Sequence, residues 1–124
     1  MLVTPITNET TDGQELDLTV GRIYEVLEIE ADDYRILTDE DTAFCANDPV
    51  LFSPEYFRIL DVAEPEFWAN YHGDDGARYA GPADWLRSGF FEDYHDHVQD
   101  VQDKFWKDLR RLYPRSWRER VGAR

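Results

Sequence analysis

The chain has 124 residues, 42% of them hydrophobic and 15% aromatic, which is too much apolar material for the disordered class. Its 27 acids against 13 bases give a formal charge of −14, so nucleic acid and anionic membranes repel it and basic partners attract it. No apolar run approaches the ~18 residues of a membrane span.

Met1–Thr7 holds Leu2, Val3 and Ile6 and predicts a first strand. Asn8–Asp17 is polar, with Thr11-Asp12-Gly13 as a turn signal. A second strand is predicted over Arg22–Glu30. Tyr24 and Val26 share one face and Leu27 and Ile29 the other, which means either a bulge or a strand covered on both sides. Ala31-Asp32-Asp33 and Asp39-Glu40-Asp41 read as acidic turns around a third strand, Tyr34–Thr38. A fourth strand, Thr42–Asn47, carries Phe44 and ends at Asp48-Pro49, since proline removes a ladder donor. Ser53-Pro54-Glu55-Tyr56 suits one helical or 3₁₀ turn, followed by a closing strand over Phe57–Val62.

Ala63-Glu64-Pro65 reads as a junction, and Glu66–Tyr71 as a short helix. His72–Pro82, with its three glycines and a proline, is expected to be an irregular loop. Ala83–Arg87 reads as a further helical turn. The main helix is predicted over Asp96–Leu112, capped by Asp96, with Val98, Val101, Phe105, Leu109 and Leu112 along one face. Pro114 stops it, and Ser116–Val121 follows as a last short helix with fraying expected over Gly122–Arg124.

The expected class is thus α+β: a small antiparallel β-barrel over residues 1–63, then an aromatic-rich loop and helical extension over 64–124 packed on it. LTVGRIYEVLEIEADDYRILTDED followed by LFSPEYFRIL resembles small SH3-like domains of bacterial proteins. Those open on LTVGK-x-YEV and end on YP-x-x-x-F, and they occur among immunity and other small accessory proteins. The resemblance covers the first half and implies an SH3-like barrel. There is no ALYDY-like aromatic run and no tryptophan pair within 18–62, which argues against binding of proline-rich peptides.

No catalytic motif stands out. His72, Asp74 and Asp75, or Glu92, Asp93, His95, Asp96 and His97, combine imidazole and carboxylate as a metal site would. His95 and His97 are two apart, however, and diverge by roughly 200° on a helix. A polar turn with solvated histidines is the plainer reading, and no metal or cofactor is predicted. Cys45, the sole cysteine, lies among apolar neighbours in a predicted strand, where an inert thiol is favoured over a nucleophile. A single cysteine, and a start without a basic and an apolar signal region, point to a reduced, cytoplasmic home. There is no phosphate-binding glycine loop, no Gly-x-Ser-x-Gly, and no carboxylate pair set apart from the rest.

Two features carry recognition instead. Asp32, Asp33, Asp39, Glu40, Asp41 and Asp48 lie in turns at the ends of the expected barrel. They serve either as turn formers or as a negative patch facing a basic surface. Trp85, Phe90 and Phe91, beside glycines, are core or interface anchors. Charge is also polarised: residues 1–63 carry 15 acids and 3 bases, and residues 97–124 carry 4 acids and 8 bases. That would let the basic C-terminal helix dock on the acidic barrel. The expected function is a non-enzymatic immunity or inhibitor protein occluding the basic active-site surface of a bacterial toxin. The other readings are a nucleic-acid mimic aimed at a DNA-handling or defence protein, and a small metal-dependent enzyme around His72 or His95 and His97.

Overall fold

The computed structural model describes residues 1–42 and 46–121. Phe44 and Cys45 of the predicted fourth strand, and the terminus predicted to fray, lie outside the described residues. The chain is α+β, with two antiparallel sheets and a C-terminal set of helices. No helix is long and apolar enough to cross a membrane among the described residues.

The strands are β1 (Leu2–Pro5), β2 (Tyr24–Glu25), β3 (Glu28–Glu30), β4 (Asp33–Leu37), β5 (Pro49–Phe52), β6 (Phe57–Asp61), β7 (Ala69–His72) and β8 (Arg78–Gly81). A three-stranded sheet has the order β2-β1-β6, and a five-stranded sheet the order β5-β4-β3-β8-β7. The stretch predicted as one strand over Arg22–Glu30 serves both. Val26 donates to the Met1 carbonyl and Leu27 to the Arg35 carbonyl, so the ladder changes partner between them.

That handover explains the apolar run. Tyr24, Val26 and Ile29 join a core with Val3, Ile36, Phe52 and Phe57, while Leu27 and Leu37 join a second core with the helices. The five-stranded sheet is therefore covered on both faces, which period-two patterning alone does not distinguish from a bulge.

Four sequence expectations are corrected. A strand runs over Pro49–Phe52, where Asp48-Pro49 is expected to end one, and residues 46–47 are a turn. Pro49 opens that strand at the sheet edge, where no ladder donor is missed. Glu66–Tyr71 is not a helix, and His72–Pro82 is not an irregular loop: the region forms the β7–β8 hairpin. Gly76 donates to the Gly73 carbonyl at 2.9 Å and Gly73 to the Ala77 carbonyl at 2.8 Å, with Gly76 at φ +84°. The glycines mark a tight turn there. Since β8 pairs with β3 through Ile29 and Ala80, the five-stranded sheet draws on both sides of residue 63. Gly81 is needed at this junction, because a Cβ there would lie 2.7 Å from the Glu28 Cβ.

The remaining correction concerns the helices, which are α1 (Phe90–His95), α2 (Gln99–Leu112) and α3 (Pro114–Arg120), with 3₁₀ turns at Pro54–Tyr56 and Ala83–Leu86. Asp96 closes α1 instead of capping α2. His97, at φ +62°, is left-handed and separates the two. Val101, Phe105 and Leu109 of the predicted stripe are buried, and Val98 at its start is exposed. Pro114 ends α2 as expected and opens α3.

The basic end docks on the first half of the chain. Ser116 donates to Glu25 at 2.7 Å, and the buried Arg120 donates to the Thr38 carbonyl at 2.7 Å. Tyr113 ties the cores together: its hydroxyl accepts from Trp68 Nε1 at 2.7 Å and donates to the Leu27 carbonyl. Tyr113→Phe leaves both partners buried and unpaired. We expect a loss of about 1–3 kcal/mol, read by urea denaturation.

Candidate partner-binding cleft

The residues expected to bind a partner separate into three groups. Asp32 and Asp33 lie at one end of β4, and Asp39, Glu40 and Asp41 just beyond the other. Ala31 and Asp32, at φ +49° and +70°, form a two-residue hairpin turn. Asp32 closes it against β8 by accepting from the Arg78 amide at 2.9 Å and donating its own amide to the Arg78 carbonyl.

At the other end Asp39 and Glu40 are structural. Asp39 is 5% exposed, a correction to its reading as a surface acid. It accepts from the Tyr24 hydroxyl and from Thr19 Oγ1 at 2.6 Å. Arg22 grips Glu40 through two hydrogen bonds of 3.0 and 3.1 Å, and Arg120 lies 3.4 Å from it. Arg22 thereby holds the Glu40 carboxyl below its usual range. Asp41 is exposed in the turn. Asp48 faces His95 at 3.6 Å; burial pushes its carboxyl up and the imidazole offsets part of that.

The aromatic anchors are also corrected. Trp85, Phe90 and Phe91 are 1%, 2% and 4% exposed. Gly89, at φ +85°, reverses the chain between Trp85 and Phe90, so that both rings turn into the second core instead of onto a loop surface. His95 ends α1 and His97 lies beyond it in a left-handed conformation, so the two rings go to different neighbours. His95 faces Asp48, and the His97 ring meets Gln102. Among the described residues no group of three or more His, Cys, Asp or Glu gathers as a metal site would require.

What the fold does assemble is a cleft of 630 Å³ between the end of β3, the β7–β8 hairpin and the start of α1. Glu30, Asp74 and Glu92 supply carboxylates to its lining, and Tyr71 and Tyr79 supply rings. Those two tyrosines pair across the hairpin and stack with centroids 4.8 Å apart and planes within 1°. A Cβ on Gly73 would lie 3.2 Å from the Tyr79 ring, so the turn glycine leaves room for the ring beside it. Partial desolvation raises the Tyr79 phenol, and the charges of Asp75, Glu30 and Asp32 raise it further.

The nearby bases are engaged. Arg78 donates to both oxygens of Glu64 and to Asn70. Arg87, which lines the cleft, lies 3.3 Å from Asp93 and sits over the Phe90 ring. A second hollow of 400 Å³ shares Glu30, Phe91 and Glu92 with the first and extends along α1 to His95 and Asp96, with Arg35 also in its wall.

No family model, curated protein or solved structure matches the chain. What it binds is therefore read from the chemistry of its own residues. Tyr71, Tyr79, Glu30 and Glu92 were not singled out together in the sequence. The one signal was the Gly73–Gly76 turn: read as a hairpin, it sets Tyr71 opposite Tyr79.

Proposed function

We propose that the chain is a non-enzymatic acidic binding protein that covers a basic protein surface, and that it acts as the immunity or inhibitor partner of a bacterial toxin. One observation carries this reading: four arginines of the chain are spent on internal contacts while acids line its open cleft. Arg22, Arg35, Arg78 and Arg120 all pair with carboxylates of the sheets and their connections. Asp74 and Glu92 have no base within ion-pair distance among the described residues, and they face the cleft. A chain of net charge −14 arranged in this way steers basic partners to one end and excludes an anionic substrate from any surface it covers.

We read the two sheets as parts of an SH3-like barrel. The 3₁₀ turn at Pro54–Tyr56 directly before β6, and the pairing of β6 with β1, support that reading. A nucleic-acid mimic needs acids spaced like phosphates along one face. Here Asp39 and Glu40 are drawn into internal contacts at the far end of β4 from Asp32.

Co-expression with the products of the genes flanking the chain's own, each tested for toxicity alone, tests the proposal. Restored growth and a stable complex on gel filtration are expected; absence of both overturns it.

A further inference from the structure

We infer that the cleft at Tyr71 and Tyr79 receives an arginine side chain of the basic partner, its guanidinium stacked on the tyrosine pair and held by the carboxylates of Asp74, Glu30 and Glu92. This deepens the proposed binding of a basic protein and rests on that reading.

Three observations lead to arginine. The first is shape. Two rings stacked at 4.8 Å with planes within 1° present a flat face, and Tyr71 is 45% exposed. A guanidinium is planar and weakly hydrated and stacks on such a face, whereas an ammonium is compact and strongly hydrated. The second is charge. Glu30, Asp74 and Glu92 line the cleft together with His72, and the one arginine in its lining, Arg87, is offset by Asp93.

The third is a precedent inside the chain. Arg35 lies 3.7 Å over the Phe91 ring while it donates to Glu28 at 2.7 Å and meets Glu30 at 3.3 Å. That is a guanidinium held between an aromatic face and carboxylates, and both Phe91 and Glu30 belong to the wall of the cleft. The adjoining hollow is lined by that same Arg35 and by His95 as well as by Asp96, so the place left for a partner's cation is at the tyrosine pair. The fitting ligand is thus a short basic segment of a protein, with arginine at the tyrosine pair.

The test is an NMR titration of the full chain at about 20 mM salt, where exposed charges are weakly screened. The probes are an acetylated, amidated tetrapeptide with two central arginines and its lysine counterpart. Shifts confined to the cleft and binding of the arginine peptide about three- to five-fold tighter than the lysine one are expected. Tyr71→Ser should erase that preference. Asp74→Asn with Glu92→Gln should weaken both peptides about ten-fold, because two charges facing the ligand are lost. Asp100→Asn with Asp103→Asn on α2 removes the same charge elsewhere and should leave binding unchanged.

Equal affinity for the two peptides overturns the inference. So does equal weakening by the α2 variant, or shifts spread over the acidic surface. Tyr71 and Asp74 are exposed, so their variants keep the fold. Cleft-specific arginine binding without toxin rescue would retain the inference and remove the immunity function. A toxin complex indifferent to Tyr71→Ser would do the reverse.

Discussion

Trp85→Ala lowers stability by about 3–5 kcal/mol, a large part of what holds a domain of this size. Trp85 is 1% exposed, and its indole is surrounded by Phe90, Phe91, Phe105 and Tyr113 with ring centroids 4.8 to 6.3 Å away. Removing it opens a cavity that the 3₁₀ turn, α1 and α2 all border. The indole N–H donates to Asp108 at 3.1 Å, but loss of that bond is the smaller effect. Lys104 and Arg111 also hold Asp108, at 3.0 and 3.3 Å, so its carboxylate keeps partners. Trp85→Phe should therefore cost clearly less than Trp85→Ala. Tyr71→Ala, at an exposed position, should change stability by no more than about 0.5 kcal/mol. Urea denaturation of the three variants is the measurement. A Trp85→Ala protein as stable as wild type would return Trp85 to the role of surface anchor.

Arg35→Met costs about 3–5 kcal/mol at pH 8, because it strands a buried carboxylate. Glu28 is 0% exposed, and its Oε2 has no hydrogen-bond partner among the described residues. Burial pushes it up to about 7 from an ordinary 4.5, while Arg35 pulls it down. Without Arg35 it rises further. At pH 5 the side chain is already neutral in the folded state, so the cost of losing Arg35 shrinks to its hydrogen bonds and its packing on Phe91, about 1–2 kcal/mol.

The same group gives the wild type a pH dependence of definite sign. Between pH 4.5 and 7 the folded chain retains a proton that the unfolded chain has released. Stability from this group therefore falls as pH rises through that window, by a total of about 3 kcal/mol. Asp48, also raised by burial, adds a contribution of the same sign beginning at lower pH. Glu28→Gln should flatten the slope. A cost of Arg35→Met that is the same at pH 5 and pH 8 would show that Glu28 does not titrate in this range.

How far the sequence could be read depended on whether the deciding contact was local. The Ala31-Asp32 turn, the 3₁₀ turn after Ser53 and the stop at Pro114 were legible, because each depends on the backbone preferences of two or three neighbouring residues. The buried stripe Val101, Phe105 and Leu109 was legible from its helical period. The β7–β8 hairpin was missed because glycine and proline composition signals a turn without saying whether strands flank it. Here β3 supplied the missing ladder from more than forty residues away in the chain.

The anchors were misjudged for a related reason. Trp85, Phe90 and Phe91 have the composition of a binding patch, and only the packing of α1 and α2 against Leu27 and Leu37 buries them. Asp39 looks like any turn acid until Tyr24, Thr19 and Arg22 converge on it.

By itself the sequence determined the acidity, the α+β class and the polarity that leaves a basic C-terminal end. Composition and local periodicity survive in any fold of the chain. Tertiary structure alone decided which acids are spent internally and which face the cleft, and that Tyr71 stacks on Tyr79 beside Glu30 and Glu92. Those are distances between segments far apart in sequence, set by sheet pairing and by the burial of one set of rings in preference to another.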